Sequence, residues 1–146
     1  MYIIESNFVY KNFRCVVVFI GNVGYRCGYV ELPNDSRFAN LQYNELINID
    51  VHGGITYFET GASEYPIPSK YGWIGFHCAH DDDKQDFKAW IKYSPKNYKI
   101  IKNIESTLYK NEHATVKNLG FCEKECKKIV DQLIFKIGKI KMNKKY

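Results

Sequence analysis

The chain has 146 residues, 45% of them hydrophobic and 16% aromatic, which is typical of one folded domain and excludes a disordered protein. No run approaches the roughly 18 consecutive apolar residues that a membrane span needs, and the N-terminus has no features of a signal peptide. The five cysteines contain no Cys-x-x-Cys pair, so neither a disulfide framework nor a structural zinc site is expected. These features predict a cytoplasmic protein with reduced thiols and no membrane partner.

The formal net charge of +5 arises in the second half of the chain, and much of it lies towards a lysine-rich tail at about 138–146. A nucleic-acid-binding protein can have such a charge. Lysines at the C-terminal end of a helix also stabilise the helix dipole and keep a tail in solvent. The second explanation is simpler, so a nucleic-acid partner is not expected.

The first third of the chain predicts a meander of antiparallel strands. Aromatic and β-branched residues are concentrated in three segments, at 2–10, 13–20 and 25–32. Lys11-Asn12 and residues 21–24 have the composition of tight turns between these segments. Residues 34–46 are polar and mixed, which indicates a loop with a short helix at about 41–46.

The middle third predicts shorter strands separated by glycine and proline loops. Strands are expected at 47–51, 55–59 and 73–79. His52-Gly53-Gly54 would then form the turn of a hairpin, and the prolines at 66 and 68 indicate a loop over 60–72. The two glycines equally suit a backbone that a ligand approaches closely, so both explanations stay open.

The last part predicts two helices, one over about 84–93 with Asp82 or Asp83 as its N-cap and one over about 120–137. The apolar stripe of the second helix is formed by Cys122, Cys126, Ile129, Val130, Leu133, Ile134 and Ile137. Glu125 is expected off this stripe. Residues 96–117 predict only one or two short elements.

These elements together predict a single α+β domain over residues 1–146. An antiparallel meander sheet of about six strands is expected, packed by a short middle helix and a long C-terminal helix. The apolar stripe of that last helix could serve a homodimer or a higher homo-oligomer as readily as the core.

Histidines and carboxylates are concentrated where the strand at 73–79 ends. Strand alternation puts His77 on one face and His80 on the other unless the strand ends at Cys78, so a metal site of these two alone is not expected. The alternative gathers His52, His80 and Asp83, and this set of imidazole and oxygen ligands suits Mn, Mg or Zn. No ligand spacing matches a defined metal motif, and helix capping also explains the carboxylate. Cys78, which could be a nucleophile beside a histidine, is expected to be a buried structural thiol.

Three blocks of the sequence resemble a family of small uncharacterised proteins from phages, prophages and bacterial genomes. The blocks are Cys27-Gly28-Tyr29-Val30 with Pro33, the stretch 51–57, and the stretch 73–80 followed by Asp83. A helix with glutamates and a leucine near its end completes the pattern, as Glu123, Glu125 and Leu133 do here. His77 stands where the family pattern has Asp. A catalytic Asp there would make this chain doubtful as an enzyme, so position 77 is expected to support the site or adjust its ligand.

The resemblance implies an accessory phage protein that counters host defence by binding and sequestering a nucleotide immune signal, as in Thoeris or CBASS systems. Such a protein needs no cofactor, and its partner is a small nucleotide in the host cytoplasm. Aromatic rings would stack on a base, while glycine amides, an imidazole and a guanidinium would hold phosphate. The candidate ligand-binding residues are Arg26, Tyr29, His52, Gly53, Gly54, Tyr57, Trp73, His80 and Asp83.

Two alternatives stay open at this point. The first is a metal-dependent phosphodiesterase or nucleotide hydrolase that uses His52, His80 and Asp83, with water as nucleophile. The second is a protein-binding inhibitor, such as an anti-CRISPR, that acts through a surface patch.

Overall fold

The computed structural model describes residues 1–35, 38, 42–46, 48–107 and 112–143, with residues 43, 44 and 137–143 described by backbone alone. The side chains of the whole predicted basic tail, 138–146, therefore lie outside the described part of the protein. In the part of the chain that is described, no helix is both long and apolar enough to cross a membrane.

Five antiparallel strands form the main sheet in the order β1-β2-β3-β5-β4. They are β1 (Tyr2–Tyr10), β2 (Phe13–Ile20), β3 (Tyr25–Glu31), β4 (Tyr57–Thr60) and β5 (Gly72–His77). Lys11 and Asn12 have φ angles of 49° and 68° and make the tight turn between β1 and β2. The predicted meander of β1, β2 and β3 is confirmed almost to the residue.

The helices are α1 (Tyr43–Leu46), α2 (Phe87–Tyr93), α3 (Tyr98–Thr107) and α4 (Leu119–Asn143), with a 3₁₀ turn at Pro95–Asn97. Two further short strands, β6 (Asp83–Lys84) and β7 (Thr115–Val116), pair in parallel beside the main sheet. The predicted α+β class, with its short middle helix and its long C-terminal helix, is confirmed.

The helix α4 packs across one face of the sheet and closes the main core. Its stripe is fully buried at Cys122, Cys126, Ile129, Val130 and Leu133. These side chains meet residues of β2, β3 and β5 whose side chains point the same way, among them Val17, Val30, Ile74 and Phe76. Gly28 leaves room for this layer, because a Cβ there would lie 2.3 Å from the Phe76 ring.

The opposite face of the sheet is covered by the loop between β4 and β5 rather than by a helix. Tyr29 and Trp73 lie beneath this loop together with Val16 and Val18 of β2. Tyr65 of the loop packs on them, and its hydroxyl lies 2.8 Å from the Tyr29 hydroxyl. The sheet is therefore buried on both faces, as the apolar run of β2 predicts.

The predicted strand at 47–51 is wrong where the structure describes it, because residues 48–51 form no ladder. Ile49 and Val51 are buried in the core, which explains the strand-like pattern of their segment. Its backbone groups are satisfied by side chains of α4: Gln132 Oε1 accepts from the Asp50 N–H at 2.7 Å, and Gln132 Nε2 donates to the Asp50 carbonyl at 2.9 Å. The glycine turn is therefore not a hairpin.

The predicted helix at 84–93 begins later, at Phe87, and neither Asp82 nor Asp83 is its cap. Asp86 is the N-cap, and its Oδ1 accepts from the Ala89 N–H at 3.0 Å. The preceding residues 83–84 are held instead in the short parallel pair with β7. Capping therefore does not explain why the chain has a carboxylate at position 83.

A buried ion pair joins β1, β3 and α2. Strand β1 has a bulge at Glu5, where the register to β2 shifts. Glu5 accepts from Arg26 Nε at 2.5 Å and from Arg26 Nη2 at 3.1 Å, while Asp86 Oδ2 accepts from Arg26 Nη1 at 2.8 Å. Arg26 and Glu5 are only 5% and 4% exposed. The guanidinium is thus neutralised inside the fold and is not free to pair with a phosphate, contrary to its predicted role.

We expect Arg26→Ala to reduce the free energy of unfolding by about 3–5 kcal/mol, because it leaves Glu5 buried without its cation. Lys11→Ala is the control, since both partners of the Lys11–Asp131 ion pair are about half-exposed and the pair should contribute no more than about 1 kcal/mol. Urea unfolding followed by circular dichroism measures both. Equal losses in the two variants would contradict the structural role of the Arg26 pair.

Candidate functional site

A buried carboxylate, Asp83, forms the centre of the candidate site. Its side chain is 0% exposed, and Oδ2 accepts from His52 Nε2 and from the His80 backbone N–H, both at 2.9 Å. Lys117 Nζ lies 3.0 Å from Oδ1. An isolated buried carboxylate would cost several kcal/mol, so these three groups keep Asp83 ionised inside the protein.

A turn follows β5 and brings Asp83 back towards the C-terminal end of that strand. Strand β5 ends at His77, and the Asp83 N–H donates to the His80 carbonyl at 2.9 Å, which closes a tight turn. Pairing of β6 with β7 then brings in Lys117, which follows β7 directly. Lys117 Nζ donates to the Thr115 hydroxyl at 2.6 Å and to the Asp82 carbonyl at 3.1 Å.

His52 reaches the same point from the irregular segment that lies on α4. Its backbone N–H donates to Glu125 Oε1 at 2.9 Å. Its ring meets the Phe121 ring edge-on, with centroids 5.4 Å apart. The His52 side chain is 13% exposed, so its imidazole is held firmly but can still be reached from solvent. Since a carboxylate only accepts, the nitrogen facing Asp83 is the protonated one.

His80 presents a nitrogen that the protein leaves unsatisfied. Its Nε2 is buried and has no hydrogen-bond partner. Gly53 lies directly beside it, with a φ of +69°, and a Cβ at that position would lie 2.0 Å from His80 Nε2. A side chain at position 53 would therefore fill the space next to this nitrogen, which explains a glycine at the turn better than a hairpin does.

His77 and His80 lie on the same side of the site, and the prediction that they do not share a face is wrong. Their rings stack with centroids 4.5 Å apart and planes 18° apart. The strand ends at His77, so alternation no longer governs the position of His80. His77 is half-exposed, and its Nδ1 lies 2.9 Å from the Thr56 hydroxyl.

His52, His80 and Asp83 form a group that could hold a metal ion. One ligand atom from each lies within 4.8 Å of the other two. An ion roughly 2 Å from each ligand would need these side chains to close up slightly by rotation. The sequence prediction of this trio as a spatial cluster is therefore confirmed, while occupancy by a metal stays a prediction.

The electrostatics of the site favour an ionised carboxylate beside neutral imidazole. Burial raises the pKa of Asp83, but the hydrogen bonds from His52, from the His80 backbone and from Lys117 outweigh it and hold the pKa below the usual 3.8. Burial and the charge of His80 lower the pKa of His77 below its usual 6.5. At neutral pH His77 is therefore uncharged.

Two of the predicted aromatic ligand contacts are not available at the surface. Trp73 is completely buried and Tyr29 is 5% exposed, both under the loop on the far face of the sheet. Tyr57 is half-buried, and its hydroxyl donates to Glu59 Oε2 at 2.7 Å. Gly54 also differs from its predicted role, because its amide donates to the Val51 carbonyl at 2.8 Å instead of facing a ligand.

Cys78 is a core thiol, as the sequence favours. It is buried, and its sulfur lies 3.7 Å from the sulfur of Cys122. The hydrogen bond with Cys122 and burial raise the pKa of Cys78, so its thiol stays protonated and is a poor nucleophile. All five cysteines are free, so no disulfide contributes to the site.

Two residues of the site were not predicted. Lys117 lies at the end of the ambiguous stretch 96–117, where neither motif nor periodicity marks it. Glu125 is 7% exposed, and the expectation that it lies off the apolar stripe of α4 is wrong. Its spacing of three from Cys122 and four from Ile129 puts it on the buried face, so a charged residue in this register was the available signal.

Comparison with protein-family models, with curated proteins and with solved structures found no match for this chain. The resemblance carried by the blocks at 51–57 and 73–80 therefore stays a prediction. Function is inferred below from the chemistry of the site.

We expect Asp83→Asn to flatten the loss of stability at acid pH. A carboxyl whose folded pKa is depressed contributes stability above its unfolded pKa of about 3.8, and this contribution is lost as the pH falls through the folded value. Measuring the free energy of unfolding from about pH 6 to pH 2 should give a shallower slope for the variant.

Asp131→Asn is the matched control for this experiment. The pKa of Asp131 is also lowered, by the hydrogen bond from Lys11, but this carboxylate is exposed and its pair is screened by water. Its variant should keep nearly the whole wild-type slope. A slope reduced as much by Asp131→Asn as by Asp83→Asn would show that burial at position 83 has no special effect.

Proposed function

We propose that this protein is a metal-dependent hydrolase that cleaves a phosphodiester or nucleotide substrate at His52, His80 and Asp83. The observation that carries the proposal is the convergence of two imidazoles and a fully buried carboxylate from separate segments, with ligand atoms within 4.8 Å of one another. A purely structural ion pair would not need the second imidazole, whose Nε2 has no partner.

The donor set supports one divalent transition ion. Two imidazole nitrogens and one carboxylate oxygen suit Zn²⁺ or Mn²⁺ better than Mg²⁺, which prefers an all-oxygen shell. Three protein ligands leave a coordination position for water, as in catalytic rather than structural zinc sites. An ion bound through His52 Nε2 would displace the hydrogen bond of that nitrogen to Asp83 and move the ring proton to Nδ1.

The neighbouring residues support hydrolysis. An ion held by His52, His80 and Asp83 would lower the pKa of a bound water and so supply the nucleophile for attack on phosphorus. Hydrolysis also needs a base that accepts the proton of the water as the bond to the leaving oxygen breaks. We assign this role to His77, which is half-exposed, stacked on His80 and uncharged at neutral pH. Lys117, 3.0 Å from Asp83, keeps that carboxylate ionised and so available as a ligand.

Sequestration of an intact nucleotide signal is the alternative proposal for the same site. It fits less well, because the two rings expected to stack on a base, Tyr29 and Trp73, are buried. Tyr57 is the half-buried aromatic residue that this proposal would still use. The test below separates retention of a ligand from its cleavage.

We expect purified protein to bind one Co²⁺ or Zn²⁺ ion per chain, with an affinity that falls at least tenfold in His80→Ala. Isothermal titration with Zn²⁺ measures the affinity, and the visible d–d absorption of Co²⁺ reports its coordination without any substrate. His80→Ala removes a ligand whose Nε2 has no protein partner, so the substitution breaks no hydrogen bond of that nitrogen, and circular dichroism checks that the variant is folded. His113→Ala is the matched control, because this histidine is 82% exposed and outside the site.

We further expect the metal-loaded protein to hydrolyse bis-p-nitrophenyl phosphate or cyclic dinucleotides, and EDTA to stop the reaction. His52→Ala and His80→Ala should each lower kcat/KM at least a hundredfold, about 3 kcal/mol of transition-state stabilisation. His77→Gln should lower kcat while leaving Zn²⁺ affinity unchanged. Release of intact nucleotide from heat-denatured protein would instead support sequestration. Full activity in EDTA would contradict the proposal of a metal-dependent reaction.

A further inference from the structure

Residues 84–102 form a short segment with a high density of positive charge. This segment has six lysines and a single acidic residue, Asp86, which gives it a formal charge of +5. The tail at 136–146 has five further lysines and no acidic residue, and the remaining residues have ten basic and fifteen acidic side chains. The segment at 84–102 is therefore a second basic region of the chain, in addition to the tail.

The six lysines of this segment, named here the lysine surface, are Lys84, Lys88, Lys92, Lys96, Lys99 and Lys102. All six are exposed. Asp86 does not neutralise them, because its carboxylate pairs with the buried Arg26 at 2.8 Å. Within the described residues, Lys102 is the one member with an ionic partner, Glu105 at 3.3 Å. The surface therefore has positive charge that the protein itself does not compensate.

Packing of α2 and α3 turns these lysines outward. The inner sides of the two helices hold Phe87, Trp90 and Ile101, which form a separate core cluster with Phe19 of β2. Lys88 and Lys92 are one helical turn apart on α2, as Lys99 and Lys102 are on α3. Side chains so spaced are neighbours, with Cβ atoms roughly 5–6 Å apart, so each pair can contact one stretch of a polyanion.

An exposed aromatic ring lies within the lysine surface. Tyr98, the first residue of α3, is 50% exposed, and Lys102 Nζ lies 5.9 Å from its ring centroid. Interleaved aromatic and cationic side chains are typical of surfaces that bind single-stranded nucleic acid, since bases stack on the ring while lysines follow the phosphates. An anionic membrane is a poorer fit, because the apolar sides of both helices face the core.

We propose that the lysine surface binds the backbone of single-stranded nucleic acid and that Tyr98 stacks on one of its bases. Lys84 follows Asp83 directly, so one end of the lysine surface begins next to the buried carboxylate of the histidine cluster. Binding to the surface requires no metal. Where the hydrolase proposal also holds, the strand becomes the substrate of the site, and that extension alone rests on the proposed function.

The test is fluorescence anisotropy of a labelled 20-nucleotide oligo-dT with the full chain, in EDTA and over a range of salt concentrations. Lys88→Glu/Lys92→Glu should weaken binding at least tenfold at low salt. It should also reduce the slope of log K against log salt by about 1.4, because each lost phosphate contact on a single strand removes about 0.7. Tyr98→Ala should weaken binding about fivefold or more with the slope unchanged, since stacking releases no counterions.

Lys70→Glu/Lys124→Glu is the matched control, because it makes the same change in net charge at exposed lysines outside the lysine surface. It should change the affinity less than twofold. An equal loss in this control, or no binding to the oligonucleotide at low salt, would overturn the proposal. Tighter binding to phosphatidylglycerol vesicles than to oligo-dT would also overturn it. Since EDTA is present throughout, failure here is distinguishable from failure of the hydrolase.

Discussion

The structure around the candidate site depends on one interaction, the pairing of the buried Asp83 carboxylate with His52 and Lys117. These three residues come from different parts of the fold: the segment that lies on α4, the turn after β5, and the end of β7. The carboxylate draws them together because none of its partners can leave without exposing an unpaired buried charge. The same requirement that stabilises the junction therefore also builds a polar site there.

Much of the fold could be predicted because local pattern and tertiary environment agree. The strands β1, β2 and β3 alternate regularly and are joined by short turns, and α4 has a continuous apolar stripe. Prediction failed at residues 48–51, where Ile49 and Val51 are as buried as in a strand but the backbone bonds to α4 side chains. The pattern of apolar residues predicts which side chains are buried. It does not predict which groups form hydrogen bonds with the backbone N–H and C=O groups.

The three residues at the centre of the site could be predicted from the sequence, and the residues around them could not. In the sequence, His52, His80 and Asp83 directly adjoin the predicted strands at 47–51 and 73–79 and the predicted helix at 84–93, where ligand-binding side chains are often found. Lys117 and Glu125 come from segments whose place depends on long-range pairing, so no local pattern identifies Lys117. The aromatic residues were assigned to the site wrongly. Trp73 was predicted to contact a ligand, and in the structure it is a core residue under a loop.

The contact between His52 and Asp83 also has a mechanical consequence. The contact closes a loop of the chain, and 31 positions separate its two residues. At one end of this loop the backbone is hydrogen-bonded to Glu125 and Gln132 of α4, and the other end follows the last strand residue of β5. The contact between His52 and Asp83 therefore joins the helix layer to the sheet layer. A ligand that binds this cluster in the folded state alone would therefore stabilise the contact between the two layers by mass action, in addition to the apolar core that already joins them.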